Sequence, residues 1–101
     1  MDIMTALKAI SDDTRMKIIN LLLRHDYCVR ALARNLNISE AGVSQHLKIL
    51  REAGLVSGEK KGYFVHYSVN RDALKEIAGN INALAGTERS QEERKCKCRE
   101  I

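Results

Sequence analysis

Apolar positions recur along this chain with two different periods, and the change of period divides it. Ile3, Ala6, Leu7 and Ile10 mark one face of a short first helix. Ser11-Asp12-Asp13-Thr14 then supplies cap-forming side chains and acids where the dipole of a second helix favours them. Met16, Ile18, Ile19, Leu21, Leu22 and Leu23 are apolar over most of the circumference, which predicts that this second helix is the central, most buried one. Cys28 to Leu36 reads as a third helix with Leu32, Ala33 and Leu36 inward. Asn37-Ile38-Ser39 is a turn, and Ser39 can cap a fourth helix. From Leu55 the period becomes two. Tyr63, Val65, Tyr67 and Val69 alternate with Phe64, His66 and Ser68, and Lys60-Lys61-Gly62 marks the tip of a hairpin. Asn70 caps a fifth helix with Ala73, Leu74, Ile77, Ala78, Ile81, Leu84 and Ala85 on one face.

The fourth helix is the most informative. Val43, Leu47 and Leu50 form one apolar stripe at i, i+4 and i+7. Ala41, Ser44, Gln45 and Lys48 recur at i, i+3, i+4 and i+7 on the opposite side, a small, polar and basic face suited to a DNA major groove. Gly54 supplies the left-handed stop before Leu55-Val56 opens a strand. Two short helices joined by a three- or four-residue turn make a helix-turn-helix, and the hairpin that follows makes a wing. The fold expected is mainly α with a two-stranded β wing, a winged helix-turn-helix in the order α-α-α-α-β-β-α. The terminal helices carry apolar faces that a domain this small cannot easily cover. A homodimer built from them would bury both and present two recognition helices to a pseudo-palindromic site.

Composition changes this picture little. At 101 residues the chain is one domain with a marginal core. Its formal charge of +4 is spread evenly, with seven Lys/Arg against five Asp/Glu in residues 1–50 and ten against eight in residues 51–101. A nucleic-acid footprint must therefore come from local clustering: Lys48 and Arg51 on the helix, Lys60 and Lys61 on the wing. Those four are read as phosphate contacts, against the alternative of an ordinary solvated face. His46 borders the buried stripe beside Val43 and Leu50, off the Ala41/Ser44/Gln45 face. It is a packed or phosphate-touching residue rather than a base reader. The longest apolar runs are three residues, as in Leu21-Leu22-Leu23, so no membrane span is expected. Asp2 and the lack of a basic start before an apolar segment argue against a signal peptide, and the expected location is the cytoplasm. No Gly-rich phosphate loop or nucleophile motif suggests an enzyme.

Here a resemblance enters. Ala9-Ile10-Ser11-Asp12-Asp13-Thr14-Arg15-Met16-Lys17-Ile18-Ile19, then Val43-Ser44-Gln45-His46-Leu47, then Leu50-Arg51-Glu52-Ala53-Gly54-Leu55-Val56, closely resemble the ArsR/SmtB metal-sensing repressors. Gly62 through Val69 looks like the same family's wing, and the resemblance covers residues 4–85. It implies a homodimeric repressor that leaves double-stranded operator DNA when an effector binds. It also implies that Ser44 and Gln45 face bases and that Ala41 lies at the helix start. One departure stands out: Glu40-Ala41 occupies a place where the family often has Gln-Pro or Gln-Ser. Glu40 suits a helix start but repels phosphate, so it can shift sequence preference.

The three cysteines are an odd count, a poor match to a secreted disulfide framework. Many family members carry Cys-Val-Cys-x-x-Cys at the start of the third helix, whereas Cys28-Val29-Arg30-Ala31-Leu32-Ala33 keeps only the first cysteine. Another common family site uses Asp-x-His in the last helix. Asp72-Ala73-Leu74 lacks that histidine, and none follows His66, so the histidine-rich zinc site is not expected. Cys28, Cys96 and Cys98 remain. Thiols at i and i+2 point the same way in extended chain, and Lys95, Lys97 and Arg99 favour the thiolate. The ten residues from Gly86 to Cys96 reach up to roughly 33 Å, enough to meet Cys28 of either subunit. Three thiolates suit arsenite or antimonite as effector, with no constitutive cofactor, and the resemblance suggests the same ions. Three other readings stay open. The cysteines could be a redox or persulfide sensor. Cys28 with His25 and Asp26 could hold cadmium, lead or zinc. Cys28 could also be a small buried residue, with the tail thiols idle. The chain divides into a DNA-binding and dimerisation domain at 1–86 and a charged tail at 87–101.

Overall fold

Four helices open on a side chain that accepts a hydrogen bond from the first turn. The computed structural model describes residues 1–90. In it Asp2 accepts from the Met4 N–H, Asp12 from Arg15, Ser39 from Gly42 and Asn70 from Ala73. The order is α1 (Ile3–Ile10), α2 (Asp13–Leu22), α3 (Val29–Leu36), α4 (Glu40–Glu52), β1 (Val56–Lys61), β2 (Phe64–Val69) and α5 (Arg71–Ala85). The helix-turn-helix and the wing stand where the sequence places them. Cys28 differs: it is the residue before α3, at its N-cap, and its side chain makes no capping bond.

The core gathers around α4. Val43, Leu47 and Leu50 are fully buried with Ile18 of α2, Leu32 of α3 and Leu55 beyond the helix, and α4 packs on α1, α2, α3 and β1. The turn from α3 to α4 depends on Asn37, whose left-handed φ of 55° lets the Asn37 and Ile38 N–H groups both reach the Ala33 carbonyl. At the other end of α4, Gly54 has φ of 79°. Its N–H donates to Arg51 O (3.0 Å), and the Leu55 N–H donates to Leu50 O (2.9 Å). This double closure is a Schellman motif, and both leucines it joins are fully buried. Helix end and strand start are thus fixed by one backbone feature.

The wing is a single antiparallel pair, with Val56 opposite Val69 at the base and Lys61 opposite Phe64 at the end. The tip is therefore Gly62-Tyr63, and Lys60 and Lys61 lie within β1, which corrects the expectation that they form the turn. Gly62 has φ of 64° and Tyr63 does not share it. That fits a type II′ turn, with glycine first. Along β2 the face shared by Tyr63, Val65, Tyr67 and Val69 is covered only at the base. Tyr67 is buried, but Val65 is exposed and Tyr63 is 99% exposed, because the hairpin extends beyond the helices. Tyr67 lies across Gly58, where a Cβ would come within 2.9 Å of the ring. The base of the wing is tied to the body by the Tyr67 N–H, which donates to the Tyr27 carbonyl at 3.0 Å.

Helix α2 is less buried than its composition suggests. Ile18, Ile19 and Leu22 face the core, but Met16 is 42% exposed and Leu21 and Leu23 are only partly covered. With α1, α3, α4 and β2 around it, the helix still has one open side. In α5, Ala73 and Ile77 are buried while Ile81 and Leu84 are 50% and 74% exposed, so the apolar face outruns the body it packs on. Among the described residues no helix is long and apolar enough to cross a membrane.

Nothing lies within 4 Å of a Cβ built on Gly54, so Gly54→Ala meets only the left-handed backbone cost. Urea unfolding should show a loss of about 1–2 kcal/mol, and a smaller loss for Gly54→Asn. Asp12 has its carboxyl held below the ordinary carboxylate value, first by the Arg15 N–H it accepts and then by the charge of the Arg15 guanidinium. A depressed folded pKa gives stability that is full above the unfolded value and is lost as pH falls through the folded one. Asp12→Asn keeps the cap but cannot ionise. Its deficit against the native chain should be present at neutral pH and shrink in thermal melts as pH falls below the ordinary carboxylate range.

Candidate nucleic-acid interface

Because α4 buries Val43, Leu47 and Leu50, its remaining circumference is fixed. Ala41, Ser44, Gln45, Lys48 and Arg51 are all exposed. Small and amide-bearing side chains thus stand near the N-terminal half and the cations further along, as a helix entering a major groove end-on would need. Glu40, the acid in the first turn, is paired with Arg30 of α3 (Nε–Oε2 3.9 Å, both well exposed). Such a pair contributes little to stability. It does offset the negative charge that would otherwise face phosphate at this end of the helix.

The two wing lysines, adjacent in sequence, are placed differently. Lys61 Nζ lies 3.7 Å from Asp26 Oδ2 in the loop between α2 and α3, which draws that charge back towards the body. Lys60 and Tyr63 are exposed towards the tip. A six-residue strand rises about 20 Å, so the wing carries these groups well away from its base.

His46 lies between the buried stripe and the exposed face, half-buried as its position implies. Its Nδ1 is 3.3 Å from Nη1 of Arg15. Arg15 also donates through Nε to the Ala9 carbonyl at the end of α1, and its backbone N–H donates to Asp12 (3.0 Å). One guanidinium therefore joins α1, α2 and α4. Nothing in the pattern of residues singles out this role, since Arg15 reads there only as part of the Asp12-Asp13-Thr14-Arg15 run. Arg71 was equally silent; its Nη2 donates to the Leu23 carbonyl (2.8 Å) at the end of α2.

Cys28 is half-buried. It borders a groove of about 220 Å³ with Val29, Arg30, Glu40, Phe64, Val65 and Tyr67, between the start of α3 and the wing. His25 stacks edge-on against Tyr27 with ring centroids 6.0 Å apart. Among the described residues no three His, Cys, Asp or Glu side chains gather as a metal-binding group, so His25, Asp26 and Cys28 are not brought together as one. Cys96 and Cys98 lie outside the described residues.

Comparison with known proteins agrees with this geometry. Residues 12–57, from the α2 cap to the first strand, match the arsR family of bacterial regulatory proteins. The transcriptional repressor SdpR of Bacillus subtilis is 44% identical over 69 residues, covering 68% of this chain and 77% of that protein. A cadmium resistance transcriptional regulatory protein, a CadC homolog of Staphylococcus aureus, is 37% identical over 78 residues, 76% of this chain and 64% of that protein. The arsenical resistance operon repressor of Staphylococcus aureus is 28% identical over 100 residues, 99% of this chain and 91% of that protein. An ArsR-like transcriptional regulator from Rhodococcus sp. RHA1 superposes with a TM-score of 0.78 at 28% identity, covering 83% of this chain and 79% of that one. The chain belongs to the arsR family of bacterial regulatory proteins, transcriptional repressors that bind DNA through a winged helix-turn-helix.

Proposed function

We propose that this protein is a homodimeric cytoplasmic repressor that releases its operator when arsenite or antimonite is held by the thiolates of Cys28, Cys96 and Cys98. The observation that carries the DNA half of this reading is the face of α4. Ser44 and Gln45 are exposed opposite a fully buried stripe, with Ala41 at the N-terminal end and Lys48 further along. Ser44 and Gln45 read base edges, and Lys48, Arg51, Lys60 and Lys61 hold phosphates. The second copy covers the outer faces of the terminal helices, where Met4 of α1 and Ile81 and Leu84 of α5 are exposed. Residues 1–86 form the DNA-binding and dimerisation unit, and 87–101 form the tail that brings two of the three thiols.

Support for the effector is chemical. Three thiolates are the donor set a trivalent metalloid prefers. One relative that aligns over nearly the whole chain is an arsenical resistance repressor, while the cadmium regulator among the relatives makes a divalent ion the main rival. Cys28 is also well placed to transmit binding. It precedes the first residue of α3, the helix packed on α4, and follows Tyr27, whose carbonyl anchors the wing. An ion drawn to Cys28 therefore acts on both DNA-contacting elements. Its effect equals its differential affinity for the free and DNA-competent states, typically about 1–3 kcal/mol of coupling.

Binding to DNA from the protein's own promoter, read by fluorescence anisotropy, should fall steeply with salt. Gln45→Ala should reduce discrimination against mutated sites by about 1–3 kcal/mol, while Lys60→Ala should weaken all sequences evenly and lower the salt slope by about one. Wild-type affinity and selectivity in both variants would remove α4 and the wing from the interface. With reduced protein, arsenite or antimonite should release the DNA, and Cys28→Ser or Cys96→Ser/Cys98→Ser should abolish that release. Release by cadmium or zinc alone, or only by a persulfide donor and reversed by reductant, would overturn the metalloid reading and leave the repressor intact.

A further inference from the structure

We infer that Arg15 fixes the tautomer of His46 so that the neutral imidazole presents its Nε2–H as a hydrogen-bond donor to a DNA phosphate. This rests on the DNA-binding role of α4. An arginine side chain has donors only and stays charged at any physiological pH. The 3.3 Å approach of Nη1 to His46 Nδ1 is therefore a hydrogen bond only if Nδ1 is the acceptor. A histidine whose Nδ1 accepts carries its proton on Nε2. Arg15 is itself held: Nε donates to the Ala9 carbonyl, and the residue begins α2 under the Asp12 cap. Its guanidinium arrives at His46 in a set orientation.

The place of His46 on α4 says what that donor meets. On the helix surface its neighbours are Gly42 and Val43 one turn before and Ile49 and Leu50 one turn after, on the flank between core and exposed face. A residue on the flank of a helix lying in the major groove faces the wall of the groove, which is sugar and phosphate, rather than the base edges. The ring nitrogen away from Arg15 is the one left for that wall. A neutral donor contacts phosphate without displacing a counterion. Its contribution therefore differs from that of Lys48 or Lys60 in the salt dependence of binding. Arg15 is a positioning residue here, acting on DNA through His46.

Long-range proton–nitrogen NMR on the reduced protein with labelled histidine tests the tautomer without DNA. His46 should show the Nε2–H form in the native chain and revert towards a mixture in Arg15→Met and in Arg15→Lys, which keeps a charge but cannot span both partners. Circular dichroism identifies a variant that has not folded. With promoter DNA, His46→Ala should lose about tenfold in affinity for each recognition helix engaged with the salt slope unchanged. His46→Gln, whose amide nitrogen can stand in for Nε2, should recover part of it, and His46→Asn should not. An Nδ1–H tautomer in the native chain, or wild-type affinity in His46→Ala, would overturn the inference. A salt slope lowered by His46→Ala would mean a charged imidazolium contact and overturn it equally. Unchanged tautomer and affinity in folded Arg15 variants would remove Arg15's role. If the native protein shows no salt-dependent DNA binding at all, the failure lies in the DNA reading itself.

Discussion

The burial of one stripe of α4 governs the rest of the molecule. Val43, Leu47 and Leu50 sit among residues from α2, α3 and the strand entrance, with essentially no exposed surface. Each such side chain contributes about 1.5–3 kcal/mol by leaving water, a large share of the net stability of so small a domain. The same packing fixes the helix's rotation. A turn of the helix by one residue would bury Ser44 and Lys48 and move Leu47 out to the half-buried flank, so the polar face is held by the core rather than by anything on the surface. In the proposed function, DNA recognition requires no special stabilisation of Ser44 or Gln45. It requires only that the opposite side cannot move.

The wing inherits its place from the same helix. The Schellman closure at Gly54 points Leu55 back into the core and releases Val56 as the first strand residue, and the Leu55 carbonyl accepts the Asn70 N–H (2.8 Å) where the hairpin returns to α5. The hairpin is thus clamped at its base from both strands, with a third attachment at Tyr27. Beyond Tyr67 it has its own ladder and the exposed Lys61–Asp26 ion pair. A base tied through the backbone and a tip tied only by an exposed ion pair suit an element that adapts to a groove. The wing's anchor, Tyr27, is also one residue from Cys28.

Much of this was legible in the sequence because it follows from local chemistry. Ser39, Asn70, Asp12 and Gly54 each act within a few residues of themselves, and the stripe of α4 needs only the helical period. The parts that were not legible depend on distance in space. Alternation along β2 marks which residues share a face, but not how far the body extends beneath them: Tyr63 shares a face with buried Tyr67 and stands in solvent. Lys60-Lys61-Gly62 resembles a turn by composition, while the pairing of Lys61 with Phe64 moves the turn on by one residue. The reach of Arg15 to His46 spans 31 positions and has no periodic signature. The buried stripe of α4 was foreseeable, and the Arg15–His46 contact was not.

Chemical protection of the promoter by the reduced protein distinguishes insertion of α4 into the major groove from every other mode of binding. Two copies of α4 in successive major grooves should shield guanine N7 positions in two patches about one helical turn, or a whole multiple of it, apart on one face of the duplex. Cleavage of the sugar backbone should be reduced in the flanking minor grooves where the wings lie. A single protected patch would contradict the dimer. Protection of the backbone with every guanine N7 left open would contradict insertion of α4, and with it the function assigned to the face that the core holds in place.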